Sequence, residues 1–126
     1  MVMDGRELVE SLRSQVQEID IQGLKSAMKN NSRVIVIDIR EVSETSAGYV
    51  PNSLLIPRGI LEMQLNSHED LANIELLAEQ AIYLICCSGA RSILSAFSLQ
   101  QMGYKNVYSV AGGFLAWQAA GYEFVH

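Results

Sequence analysis

Apolar positions along the chain fall into two alternating rhythms, one helical and one extended. From Asp4 to Val16, Leu8, Val9, Leu12 and Val16 recur at helical intervals, which predicts an amphipathic N-terminal helix. Ile19 and Ile21 flank Asp20 as a short strand, and Leu24, Ala27 and Met28 mark a second helix ending at Asn30-Asn31. Ser32 opens the next segment. Val34-Ile35-Val36-Ile37 is apolar throughout and β-branched, the pattern of a parallel strand covered on both faces, and it runs into Asp38-Ile39-Arg40. Gly48, Pro51 and Asn52 make residues 43–53 irregular or a broken helix, ahead of a short strand at 54–56 that Pro57 and Gly59 stop.

Leu61, Met63 and Leu65, then Leu71, Ile74, Leu76 and Leu77, predict helical pieces around a loop at 66–70. Residues 81–86 form a second strand of the buried kind. A polar, glycine-containing turn at 87–90 leads to a helix over 92–102 with Ile93, Ala96, Phe97 and Leu99 inward and Gly103 as its cap. A strand at 107–110, a tight turn at Gly112-Gly113 and a helix over 114–120 ended by Gly121 close the chain. Strands alternating with helices predict an α/β sandwich with a mainly parallel sheet, in which ligands bind beyond the carboxyl ends of the strands.

The chain has 126 residues, 49% of them hydrophobic and 18% charged, which suits a single domain over residues 1–126 that folds without disulfide, metal or cofactor. Nine basic residues against fourteen acidic ones leave a net charge of −5, and no basic cluster offsets it. That balance disfavours nucleic acid and anionic membranes as partners. Apolar runs are too short to span a bilayer and the N-terminus lacks the features of a signal peptide, so a cytoplasmic protein is expected. Cys86 and Cys87 are adjacent, a geometry that suits neither a disulfide scaffold nor structural zinc. His68, in a polar loop, and His126, the last residue, are expected to be solvated side chains.

One segment carries candidate chemistry. Cys86 stands where a buried strand ends, and Cys87, Ser88, Gly89, Ala90, Arg91 and Ser92 form a short loop and the start of a helix. Successive loop amides can converge as an anion-binding nest, to which the helix start adds its unpaired N–H groups, while Gly89 lets the backbone turn. With Arg91 nearby, such a cradle favours a thiolate and makes Cys86 the expected nucleophile. The same donors suit an anionic persulfide and the oxyanion of a donor such as thiosulfate, so the expected reaction is a covalent double displacement ending on a thiol or cyanide.

Cys86-Cys87-Ser88-Gly89-Ala90-Arg91 resembles the Cys-x-x-Gly-x-Arg active-site loop of single-domain rhodaneses. Ile37-Asp38-Ile39-Arg40-Glu41 is similar to that family's aspartate-x-arginine-glutamate signature, and it is followed by Ala47-Gly48-Tyr49-Val50-Pro51-Asn52-Ser53 and Ile56-Pro57. Met102-Gly103-Tyr104-Lys105-Asn106-Val107-Tyr108 and Ala111-Gly112-Gly113-Phe114-Leu115-Ala116-Trp117 match the region that closes these domains. The resemblance runs from Ile19 to Phe124 and leaves residues 1–18 as a helical extension, either packing or a partner surface. It implies a rhodanese-like three-layer sandwich with a mainly parallel five-stranded sheet flanked by helices. It also implies a small sulfurtransferase using a small-molecule sulfur donor and a thiol, cyanide or protein acceptor. Tyr49 and Asn52 depart from the family, which often has histidine and glycine there, and Cys87 is an unusual second thiol.

Other readings stand beside this one. Arg91 either binds the donor anion, which its place at the helix start favours, or pairs with an acidic neighbour. Asp38 and Arg40 are expected to brace loops, Arg58 either lines the pocket or is solvated, and Cys87 is expected to be a bystander. Phe114 and Trp117 are expected in the core. A phosphatase or arsenate reductase would use a related loop, but with five residues between cysteine and arginine where this chain has four. A non-catalytic rhodanese module that binds a partner is the third possibility, because fold does not fix function.

Overall fold

The computed structural model describes residues 1–31, 33–68, 71 and 78–126. Five strands, β1 (Gln17–Ile19), β2 (Ile35–Asp38), β3 (Leu54–Leu55), β4 (Ile82–Ile85) and β5 (Val107–Val110), form one sheet in the order β1-β5-β4-β2-β3. Every pairing within it is parallel. The central strands β2 and β4 are buried along their whole length, as their unbroken apolar runs require.

Among the described residues are six α-helices, α1 (Gly5–Arg13), α2 (Ile21–Asn30), α3 (Val42–Thr45), α4 (Leu61–Gln64), α5 (Ala90–Gln101) and α6 (Gly113–Ala119), and two 3-10 turns at Arg58–Ile60 and Leu65–Ser67. They divide the core in two. On one face, Ile37, Ile82, Leu84, Cys86 and Val107 pack with Val9 of α1, Leu61 of α4 and Ile93, Ala96 and Leu99 of α5. On the other, Val36, Tyr83, Ile85 and Val110 pack with Leu24 of α2 and with Phe114 and Trp117 of α6. The period-two alternation of β4 therefore sends Tyr83 and Ile85 one way and Ile82, Leu84 and Cys86 the other. Cys86 lies on the α5 side because of this parity.

Several expected boundaries move by one to three residues. Helix α1 ends at Arg13, with Asp4 as its cap accepting from the Glu7 N–H at 2.8 Å, so buried Val16 lies in the connection to β1. Leu8 of the expected apolar stripe stays 42% exposed. β1 ends at Ile19 rather than Ile21, because Asp20 caps α2 by accepting from Gly23 N–H at 2.8 Å. β2 extends to Asp38, whose carboxylate is satisfied by Arg40 and so tolerates burial. The irregular segment after it is the four-residue α3 and a turn, in which Asn52 has φ +66°, a left-handed conformation that asparagine adopts more readily than most side chains. Ser32, Asp70, Ile74, Leu76 and Leu77, read from the sequence as parts of loop and helix, lie outside the described residues.

Candidate active site

The cysteine loop is held from behind by its neighbours. The first turn of α6 donates into it, Phe114 N–H to the Cys86 carbonyl at 2.8 Å and Leu115 N–H to the Cys87 carbonyl at 3.1 Å. These bonds satisfy donors that a helix start leaves unpaired, and they fix two carbonyls of the loop. The peptide bonds of this loop are trans, so carbonyls aimed at α6 turn the following amides, those of Cys87 and Ser88, away from it. The approach is close enough to require glycine: a Cβ on Gly113, at φ +56°, would fall 2.5 Å from the Cys87 carbonyl oxygen.

Gly89 shapes the front of the loop. It caps α5 at φ +105°, and its N–H donates to the Cys86 sulfur at 3.1 Å. This left-handed residue starts the helix at Ala90, two residues before the expected start at Ser92, and carries Ser92 into the first turn. There the Ser92 hydroxyl lies 3.4 Å from the Cys86 sulfur and 2.7 Å from the hydroxyl of Ser109 on β5. Cys86 is only 1% exposed, and both serines are fully buried. Cys87 is partly exposed, whereas Ser88 and Ala90 are exposed.

Arg91 points to a carboxylate. Its guanidinium makes a two-pronged pair with Glu44 of α3, both N···O distances 2.8 Å, with the side chains 36% and 32% exposed. The arginine holds the Glu44 carboxyl down to about 2, against the opposing effect of burial and with help from the Glu41 N–H. Reciprocally, Glu44 raises Arg91 above its ordinary range, with smaller electrostatic contributions from Cys86 and Cys87. The arginine's charge thus acts on both thiols, but it is largely compensated by Glu44.

Asp38 and Arg40 form a buried pair on the neighbouring strand end. Arg40 donates through Nε and a terminal nitrogen to Asp38 at 3.0 and 2.8 Å, reaches the Gly48 carbonyl at 2.7 Å, and stacks 4.3 Å from the Phe114 ring centroid. One guanidinium therefore ties β2 to the turn after α3 and to the helix that backs the cysteine loop. Arg58 is exposed, in a single 3-10 turn whose backbone N–H bonds the Ile39 carbonyl. Phe114 and Trp117 are buried.

The loop brings Cys86, Gly89 and Ser92 together, with Cys87 and Arg91 alongside. Two participants, Glu44 and Ser109, were not singled out in the sequence. Glu44 lay inside a segment read as irregular. Ser109 carried a signal, a polar residue in phase with inward Val107 on a strand otherwise apolar or aromatic.

A parallel α/β sandwich with a cysteine loop at the carboxyl end of its central strand defines a class of small cysteine-centred domains. The chain belongs to the rhodanese-like domain family, whose model matches residues 20–120. It is 29% identical over 110 residues to a sulfurtransferase of Allochromatium vinosum, covering 87% of this chain and 95% of that protein. It is also 34% identical over 87 residues to the thiosulfate sulfurtransferase GlpE of Pseudoalteromonas translucida, covering 69% and 75%. Among solved structures, a protein of unknown function from Rhodopseudomonas palustris, described as a possible tyrosine phosphatase, superposes with TM-score 0.86 at 26% identity over 99% of this chain and 96% of that one. These relatives support sulfur transfer in general as the class of chemistry. No helix among the described residues is long and apolar enough to cross a membrane.

Proposed function

We propose that the protein is a sulfurtransferase that carries sulfane sulfur on Cys86. The observation that carries this reading is the setting of the Cys86 sulfur: at the end of the central strand, receiving the Gly89 N–H at 3.1 Å and facing the Ser92 hydroxyl at 3.4 Å. Donors aimed at one sulfur stabilise its anionic forms, the thiolate and the persulfide. The Cys86 thiolate attacks the outer sulfur of a donor such as thiosulfate, the sulfur–sulfur bond breaks, and sulfite leaves with the bonding pair. A thiolate or cyanide then attacks the outer sulfur of the persulfide, taking it as a new persulfide or thiocyanate and returning the Cys86 thiolate. Charge and atoms balance in both halves, and no cofactor is needed.

In this reading Cys87 to Ser92 form the substrate loop, and the Asp38–Arg40 pair supports it from the next strand. Arg58 supplies a positive charge near the approach. Because Glu44 compensates Arg91, donors carrying less charge than thiosulfate, such as a persulfidic thiol, also suit the loop. Residues 1–18 belong to the same domain as an extension, and the acceptor is a small thiol or a protein thiol in a reducing compartment such as the cytoplasm.

Incubation of reduced protein with thiosulfate, or with a persulfidic thiol, should add the mass of one sulfur to the wild type and nothing to Cys86→Ser. A wild-type protein that gains no sulfur from either donor overturns the reading. The similarity to a protein described as a possible tyrosine phosphatase favours testing one rival, phosphate release from an aryl phosphate. Release that Cys86→Ser abolishes would rank hydrolysis first, whereas the four-residue spacing from Cys86 to Arg91 leads us to expect none.

A further inference from the structure

We propose that Ser109 is a positioning residue for Cys86, acting through Ser92 as the outer member of a buried two-hydroxyl relay that holds the sulfur in its ionised and sulfur-laden forms. The inference rests on the sulfur-transfer reading for its purpose, though its geometry stands alone. Ser109 sits on β5 opposite Leu84 of β4, in phase with Val107, so its side chain enters the same face as Cys86. A hydroxyl there is costly unless it is bonded, and the bond it makes is to Ser92, at 2.7 Å. Ser92 in turn lies 3.4 Å from the sulfur.

The direction of this chain follows the charge on sulfur. With the thiol protonated, S–H donates to the Ser92 oxygen and Ser92 O–H is free to donate to Ser109. When sulfur is anionic, Ser92 O–H rotates to donate to it, and Ser109 O–H donates to the Ser92 oxygen. Each hydroxyl turns about one bond, no heavy atom moves, and the outer hydroxyl polarises the inner one in a site with little water. Cys87 is in the loop, and Arg91 on α5, whose charge acts on the thiols, is compensated by Glu44 from α3; the Asp38–Arg40 pair closes β2 on the opposite face of the sheet, in phase with Val36 and over Phe114. Charge neutralised within the two ion pairs leaves oriented dipoles, the Gly89 N–H and the serine relay, as the donors that respond to ionisation.

The test is a pH titration of Cys86 by thiolate ultraviolet absorbance, in a Cys87→Ser background with the Cys86→Ser/Cys87→Ser protein as blank. Ser109→Ala should raise the midpoint by the equivalent of about threefold in ionisation constant, the loss of one polarising partner. Ser92→Ala should raise it by about tenfold or more, the loss of a direct bond to a charged atom. Added to Ser92→Ala, Ser109→Ala should change nothing further. Ser109→Thr and Ser109→Val share a shape and differ by the hydroxyl, so they keep the comparison valid if the alanine variant folds poorly; the threonine form should titrate at the lower pH. Equal midpoints for threonine and valine, or a Ser109→Ala shift that persists without Ser92, would overturn the relay. A titration that moves as expected in a protein that never gains sulfur upholds the relay and removes the sulfur-transfer reading. Sulfur loading with an unmoved midpoint removes the relay alone.

Discussion

Replacing Gly113 by alanine tests how closely the last helix must approach the cysteine loop. The added Cβ would contact the Cys86 carbonyl oxygen and lie 2.5 and 2.7 Å from the carbonyl oxygen and carbon of Cys87, all of them backbone atoms. Backbone on both sides leaves no flexible side chain to yield, so α6 must withdraw by several tenths of an ångström. Withdrawal weakens the bonds from Phe114 N–H and Leu115 N–H, which together contribute about 2 kcal/mol at roughly 1 kcal/mol each. Holding alanine at φ +56° adds about 1 to 2 kcal/mol. The expected loss is about 3 to 4 kcal/mol, or a fall in Tm of roughly 11 to 15 °C for a domain of this size. Gly103→Ala is the control: its φ is +105°, but nothing lies within 4 Å of the added Cβ, so it should lose only the conformational part, about 1 to 2 kcal/mol. Urea unfolding of both variants gives the difference. If Gly113→Ala is no less stable than Gly103→Ala, the close contact does not support the loop and the account of its rear wall is wrong.

Three further outcomes follow from the ion pairs and buried hydroxyls. Glu44→Gln should cost about 1 kcal/mol at pH 7, a discounted figure because the pair with Arg91 is one-third exposed and screened by solvent. The folded Glu44 carboxyl is held at about 2 against an ordinary 4.5, so its contribution is full above about pH 4.5 and lost as pH falls through 2. The gap in urea midpoint between wild type and Glu44→Gln should therefore close over that window, and a gap that stays constant would contradict the pairing. Asp38→Asn strands the buried Arg40 charge and should cost about 3 to 5 kcal/mol in chemical unfolding; a loss below 1 kcal/mol would show that the pair is dispensable. Ser95→Ala removes a buried hydroxyl that has no hydrogen-bond partner among the described residues, so stability measured by thermal melting should rise or hold within about 1 kcal/mol.

Period and composition alone determined much of this protein. Unbroken apolar runs at 34–37, all β-branched, and at 81–86 announce central parallel strands, because only strands covered on both faces dispense with polar alternation. A cysteine at the end of one such run, followed by a glycine turn and a helix, marks the site from local chemistry. Helix ends were legible only approximately, since capping by Asp20 and by left-handed Gly89 depends on backbone angles that periodicity does not record. Tertiary structure decided which partners meet. Arg91 and Glu44 are 47 positions apart and Ser92 and Ser109 are 17 apart, so both contacts exist only once the strands are ordered β1-β5-β4-β2-β3. Residue types state what each group can bond. The sheet order and the parity of β4 and β5 choose the partner, because a one-residue shift in either strand would turn Cys86 or Ser109 to the opposite face.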